Sequence, residues 1–358
     1  MTNQKVAIIG LGRMGSTIDD EGHFQVPYSV AAATQASTSL DLVAGADLLP
    51  EKRNAFAERW NVNAYEDFRE MITIEKPDLV AICTAACLPK PINTAPDNDA
   101  RPDSHADLAI AVADLGVPMI YLEKAMASSM ARADEVRDAI KRNNTLFNTG
   151  VLRRFDNRYS VVKEAIAQGW IGEIKTVVHY ASSSLMHGHI HSIDTISHLI
   201  GDPEIAAVRG ELLPRDYTIA GNHISSDPLA TYQLRFVNGV EAWTIPGSYW
   251  EFEVIGSEGA IRSFDNGARV SLRRPGSKEG RRQLWEEVPF DAVVPESTTM
   301  TCLEDLVAAR EDSRPTLGHV DVTHHITEAT IAVAESHRQG GAWVELPLNA
   351  RDLYIFHV

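Results

Sequence analysis

Lys5-Val6-Ala7-Ile8-Ile9-Gly10-Leu11-Gly12-Arg13-Met14-Gly15 is an apolar, β-rich run that breaks directly into the pattern G-x-G-x-x-G. In such a loop the first glycine permits a tight turn and the second lets a pyrophosphate approach the backbone. The third lets the next helix pack close to the strand. Alone the pattern is weak; directly after a strand and ahead of a βαβ alternation it reads as a dinucleotide-binding loop. A second apolar strand, 40–46, ends in Asp47. An acid at that strand end accepts hydrogen bonds from the adenosine ribose and repels a 2′-phosphate, which predicts NAD over NADP. A turn aspartate before Leu48-Leu49-Pro50 is the plainer reading. Asp47 also stands further beyond Gly15 than the about 20 residues typical of this fold. The excess falls in the polar stretch 17–28, expected to form a loop near the cofactor.

Working outward, residues 51–60 and 65–74 read as helices, 78–83 as a strand and 105–115 as a helix ended by Gly116. Residues 117–122 form another buried strand, 130–143 a helix and 145–149 a strand. This alternation predicts a doubly wound parallel sheet. Between Thr84 and His105 lies a long stretch rich in Pro, Asn and Asp, expected to overhang the ligand edge; Lys90, Asn93, Asp97, Asn98, Asp99 and Arg101 offer groups suited to hydroxyl-rich ligands. From about residue 150 the texture changes to β-runs at 175–182, 205–211, 230–236, 241–246, 252–255 and 269–272. Helices return at 300–310 and 323–338. The expected fold class is therefore α/β, with a dinucleotide-binding domain over 1–150 and an α+β domain over 151–358 built on a mainly antiparallel open sheet. The last helix or strand is expected to pack back on the first domain.

The bulk numbers exclude several classes. A chain of 358 residues with 44% hydrophobic and 23% charged residues is globular and long enough for two cores. A formal charge of −16 with no basic tract argues against nucleic acid. No run of about 18 apolar residues appears, and no secretory leader is legible. Three cysteines, Cys83, Cys87 and Cys302, suit a reducing cytoplasm, and none has zinc-site spacing.

Two segments carry the candidate chemistry. Glu123-Lys124 follows the strand 117–122, which places the lysine on the edge where open α/β sheets bind ligands. A lysine there can hold and protonate a carbonyl or alcohol oxygen. Met186-His187-Gly188-His189-Ile190-His191-Ser192-Ile193-Asp194 opens an amphipathic helix on which His187, His191, Asp194 and His198 share one face. An imidazole with a carboxylate suits a substrate hydroxyl. Three alternating histidines also admit a metal-binding reading, without accompanying Cys or acidic ligands, or a helix-capping one.

Together these residues resemble the Gfo/Idh/MocA oxidoreductases. The resemblance runs through Gly10-Gly12-Gly15 and Asp47, through Thr84 and His105, and through Glu123-Lys124-Ala125, where the family usually has Glu-Lys-Pro. It continues in Arg153-Arg154-Phe155-Asp156, Gly169 to Ile174 and Gly256-Ser257-Glu258-Gly259. The family's second signature, Asp-x-Gly-x-His-x-x-Asp, reads here from His187 to Asp194, with histidine in place of the first aspartate. The resemblance implies a Rossmann domain and reversible hydride transfer between NAD(P) and a sugar or cyclitol hydroxyl. It implies Lys124, His191, Asp194 and His187 as catalytic residues, with Arg153 joining them at the substrate. It assigns Gly10, Gly12, Arg13, Met14, Gly15, Asp47, Thr84, His105, Glu123 and Lys124 to the cofactor. No metal is expected, and a homodimer or homotetramer through the C-terminal sheet is. Two other activities of such a chain stay open: a glycoside-processing enzyme that recycles a bound NAD, and a non-catalytic NAD(H) sensor.

Overall fold

The computed structural model describes residues 3–23, 26–87, 102–247 and 249–357. They divide into two compact units. One comprises Met1–Phe155, Glu296–His324 and Phe356–Val358; the other comprises Asp156–Pro295 and His325–Ile355.

The first unit is built on six parallel strands: β1 (Gln4–Ile9), β2 (Leu40–Ala46), β3 (Asn63–Tyr65), β4 (Leu79–Ile82), β5 (Met119–Leu122) and β6 (Leu146–Thr149). Their order is β3-β2-β1-β4-β5-β6, the doubly wound arrangement whose reversal point lies between β1 and β4. All four residues of β4 and all four of β5 are buried, as expected of parallel strands covered on both faces. Helices α1 (Val30–Ala36), α2 (Pro50–Trp60), α3 (Phe68–Glu75), α4 (Ser104–Asp114) and α5 (Met130–Arg142) link the strands. The helix from late in the chain, α8 (Thr298–Asp312), joins this unit: Cys302, Leu303, Leu306 and Val307 pack in one core with Val6, Ile8, Val30 and Tyr121.

One departure from the sequence reading matters for the ligand edge. The glycine loop does not lead into a regular helix. It runs into a π-helical turn, Arg13–Thr17, and a 3₁₀ turn, Ile18–Glu21, and α1 starts only at Val30. The insertion is tied down at several points. Arg13 pairs with Glu21, Asp20 accepts two bonds from Arg59 of α2 at 2.6 and 2.9 Å, and the Asp19 carboxylate accepts from the Tyr28 and Ser29 amides at 2.7 and 2.9 Å. In the long stretch before His105, residues 88–101, and with them the hydrogen-bonding groups expected there, lie outside the described residues.

The second unit carries a nine-stranded sheet. Its strands are β7 (Ile174–Tyr180), β8 (Ile205–Leu213), β10 (Leu229–Phe236), β11 (Glu241–Ile245), β12 (Glu251–Gly256), β13 (Gly259–Phe264), β14 (Arg269–Glu279), β15 (Arg282–Val288) and β16 (Val344–Glu345). The order is β15-β14-β13-β12-β7-β11-β10-β8-β16. Every pairing is antiparallel except β7 with β11. β9 (His223–Ile224) and β17 (Tyr354–Ile355) form a separate pair. Alternation in β10 buries Ala230, Tyr232, Leu234 and Phe236, so one face of the sheet is covered. Helices α6 (Asn157–Ala167) and α7 (Ile190–Leu199) lie in this unit, as does most of α9 (Val320–Arg338). Among the described residues no helix is long and apolar enough to cross a membrane.

Candidate active site

In the first unit the expected cofactor residues come together at the carboxyl edge of the parallel sheet. Gly10 has φ +91°, and a Cβ there would lie 2.7 Å from the Cys83 carbonyl carbon and the Thr84 nitrogen. A Cβ on Gly15 would fall 2.1 Å from the Gly10 oxygen. The first and third glycines are thus demanded by the chain's own packing. Gly12 is not: its Cβ would meet nothing within reach but the Lys52 ammonium, 3.6 Å away. Its bare face is the opening through which a pyrophosphate would approach.

Asp47, at the end of β2, sits beside this loop. Its carboxylate accepts the Leu11 amide at 2.9 Å and the Leu49 amide at 3.0 Å. The Lys52 ammonium stands 3.9 Å from the same carboxylate. Each carboxylate oxygen retains acceptor capacity, so the group can hold the loop and still receive ribose hydroxyls. At the end of β4 the buried Thr84 hydroxyl has no hydrogen-bond partner among the described residues. A polar ligand would satisfy it. These features fit a dinucleotide: Gly12 and the loop amides for the phosphates, Asp47 for the ribose, Thr84 for a polar group further along. Arg13 is exposed and paired with Glu21, and Met14 packs against the core of the unit.

His105 has a different position from a direct cofactor ligand. It is buried in the first turn of α4, with Nδ1 2.8 Å from the Ala125 carbonyl and Nε2 2.9 Å from the Thr84 carbonyl. Burial lowers its pKa from the ordinary value, against the pull of the two carbonyls. The ring therefore lies between the ends of β4 and β5, and when neutral it donates to one of the two carbonyls.

Glu123 and Lys124 leave β5 in opposite environments. Glu123 is buried, accepts a hydrogen bond from the Tyr121 hydroxyl and faces the Lys124 amide at 3.4 Å. Burial, with this carboxylate close by, raises the Tyr121 phenol and the Cys83 thiol well above their ordinary values. Burial raises the Cys302 thiol too, with Asp305 and Glu123 adding to it. All three thus stay neutral around one buried acid. Lys124 itself is only half-buried, and the peptide joining it to Ala125 is cis. Arg153 lies on the 3₁₀ turn Leu152–Phe155 that follows β6.

The histidine segment belongs to the second unit. It forms a π-helical turn, Leu185–His189, that leads into α7. His187 is exposed, His191 half-buried and Asp194 buried. The turn is pinned by Asp227, whose two carboxylate oxygens accept the Met186 and His187 amides at 2.8 and 2.7 Å. Nothing local in the sequence marks Asp227, which acts across a long stretch of chain. Two of the histidines have other duties. His189 is fully buried, and His198 is buried 3.2 Å from the Lys163 ammonium and 3.8 Å from Asp202. Among the described residues no three His, Cys, Asp or Glu side chains are grouped to hold a metal ion.

Comparison with known proteins agrees with this geometry. The profile described as "Oxidoreductase family, NAD-binding Rossmann fold" matches residues 4–151, and "Oxidoreductase family, C-terminal alpha/beta domain" matches 163–346. Myo-inositol 2-dehydrogenase of Thermotoga maritima is 24% identical over 307 residues, covering 78% of this chain and 81% of its own. The scyllo-inositol 2-dehydrogenase (NAD(+)) of Bacillus subtilis is 25% identical over 282 residues, covering 72% of each. Among solved structures, levoglucosan dehydrogenase in complex with NADH and levoglucosan has the same fold, with a TM-score of 0.73 and 21% identity over 97% of this chain and 100% of its own. From its glycine loop to its C-terminal sheet, the chain belongs to the Gfo/Idh/MocA oxidoreductase family.

Proposed function

We propose that this protein is an NAD-dependent dehydrogenase acting on a ring hydroxyl of a cyclitol or sugar. The observation that carries the reading is Lys124: a half-buried amine on the same sheet edge as the bare Gly12 backbone and Asp47. Gly12 and Asp47 would hold NAD, which would supply the hydride acceptor for the carbinol carbon. In oxidation the neutral Lys124 amine takes the hydroxyl proton; in reduction its ammonium returns the proton to the carbonyl oxygen. The family resemblance assigns His191, on the first turn of α7, as a second acid–base group for a substrate hydroxyl. Asp194 orients His191 or receives a substrate hydroxyl, and His187 and Arg153 contribute further hydroxyl contacts. Glu123 takes no part in the proton transfer; buried under the Tyr121 hydroxyl, it fixes the start of the Lys124 segment.

Cyclitols lead the substrate class because the two relatives named above are inositol 2-dehydrogenases, and a sugar comes second. The presence of Lys124 and His191 together favours turnover over a sensor that only binds NAD(H). A panel of inositol isomers, pyranoses and glycosides, each with NAD and followed by the absorbance of the reduced nicotinamide, tests the reading. Turnover of at least one ring polyol is expected. Binding of NAD without turnover of any would contradict the dehydrogenase and favour the sensor.

A further inference from the structure

Beneath the half-buried His191 runs a buried chain of hydrogen bonds that the proposed chemistry does not use. The Glu251 carbonyl lies 2.9 Å from His179 Nδ1, and His179 Nε2 lies 2.8 Å from Ser192 Oγ. Ser192 Oγ lies 3.3 Å from His189 Nδ1, and His189 Nε2 lies 3.0 Å from the Ala230 carbonyl. His179, His189 and Ser192 are all fully buried. The chain links β12, β7, the first turn of α7, the turn before it and β10.

The two carbonyl ends set the tautomers, because an N–H is the only ring nitrogen group that can hydrogen-bond a carbonyl oxygen and each ring here faces a single carbonyl. His179 therefore carries its proton on Nδ1 and His189 on Nε2. Both inner nitrogens are then acceptors, and Ser192 has a single proton to give. The shorter contact identifies His179 as its recipient. Ser192 thus donates to the ring under it, and His179 anchors Ser192 to the sheet.

His179 also fixes a second neighbour. Its ring stacks on Phe252, with centroids 4.2 Å apart and planes at 18°, and lies 5.4 Å from the Trp250 ring. Trp250 has φ 51°, a left-handed backbone that a bulky side chain avoids. Its indole meets His191 edge to face, with centroids 6.5 Å apart. His191 is therefore set from two sides by one ring: through its chain neighbour Ser192 and through Trp250.

We propose that His179 and Ser192 are positioning residues for His191, with Trp250 as the intermediary on the ring side. The inference rests on the role given to His191 above. Misplacement of a reacting group by about an ångström can cost roughly 10²-fold in rate. Ser192→Ala removes the link to the first turn of α7. His179→Phe keeps the stack on Phe252 and the ring contact with Trp250 but removes both hydrogen bonds.

The test compares kcat, substrate KM and NAD affinity for these two variants, for Trp250→Phe at its partly exposed position, and for His191→Ala. Each is measured on the full chain with a polyol that the wild type turns over. Ser192→Ala and His179→Phe should each lower kcat about tenfold with NAD affinity within about twofold of wild type, and the double variant should be little worse than either. Trp250→Phe should lower kcat several-fold and stays informative if a core variant does not fold. His191→Ala should be the most impaired. If His191→Ala loses activity while the three other variants keep wild-type kcat, the positioning role is overturned and the function stands. If His191→Ala keeps wild-type kcat, the role of His191 falls, and the inference with it.

Discussion

Asp47 and Lys52 face one another 3.9 Å apart beside the bare backbone of Gly12, and the proposed choice of dinucleotide rests on this pair. A carboxylate that already accepts the Leu11 amide repels a 2′-phosphate, so NAD should be preferred by at least roughly tenfold, about 1.4 kcal/mol. Asp47→Ser removes that repulsion and leaves the Lys52 ammonium unopposed, so the ratio of kcat/KM for NAD over NADP should narrow. A wild-type protein equally efficient with NADP would contradict this account. Asp47 is legible in the sequence because it ends a strand in a position the fold defines. Lys52 is not, since a lysine in the first turn of a surface helix has no distinguishing neighbour. The structural place of His105 is not legible, because two carbonyl contacts from separate strand ends leave no trace in the local sequence.

Among the elements, α7 depends on what holds its start. Asp227 receives both amides of the turn at Met186 and His187, so Asp227→Ala leaves two N–H groups without their acceptor. The loss should cost about 1–2 kcal/mol of stability. Because the turn carries His187 and leads to His191, substrate KM should rise while NAD affinity is unchanged. Denaturation midpoints and steady-state kinetics check both parts, and an unaltered KM in a destabilised variant would limit Asp227 to the fold. The period of α7 was readable from its histidines and aliphatics, yet the shared face divides in three dimensions. His198 turns to Lys163 and Asp202, while His189, off that face, enters the core. Strands were legible where burial forced apolar runs, as in β4 and β5. They are hard to read where burial is slight, as in β15, all of whose residues are exposed or half-buried, and where a strand is as short as β3. The parallel pairing of β7 with β11 was also hidden, since register between distant strands is set by the sheet and not by either segment.

At the scale of the whole molecule, two buried groups set opposing pH slopes. Burial lowers the His189 imidazole to about 4 from 6.5, so its stabilising contribution is full above pH 6.5 and is lost as pH falls toward 4. The greatest loss is roughly 3 kcal/mol by linkage. Asp103 runs the other way. It is buried at the start of α4, accepts the Ser128 amide at 2.6 Å, and has its carboxyl raised to about 7 from 3.8 by burial. Its contribution is full below pH 3.8 and is lost as pH rises through 7. Between these limits the two act in opposite directions. Asp103→Asn should therefore steepen the loss of stability on acidification, and His189→Asn should lessen it. Urea denaturation of both variants across this range checks the prediction, and parallel pH profiles for wild type and both variants would contradict it.

The division into a nucleotide unit and a second unit on an open sheet was legible from the change of texture near residue 150. The return of residues 296–324 to the first unit was less so, because α8 joins that core through side chains such as Cys302 and Leu303 that mark no particular partner. The account of function nonetheless converges on one amine. Lys124→Ala should bind NAD as the wild type does, by titration of the protein's fluorescence, and should lose roughly 10²–10⁴-fold in kcat with the ring polyol that the wild type oxidises. A variant that binds NAD and keeps wild-type turnover would contradict the claim that Lys124 carries the proton.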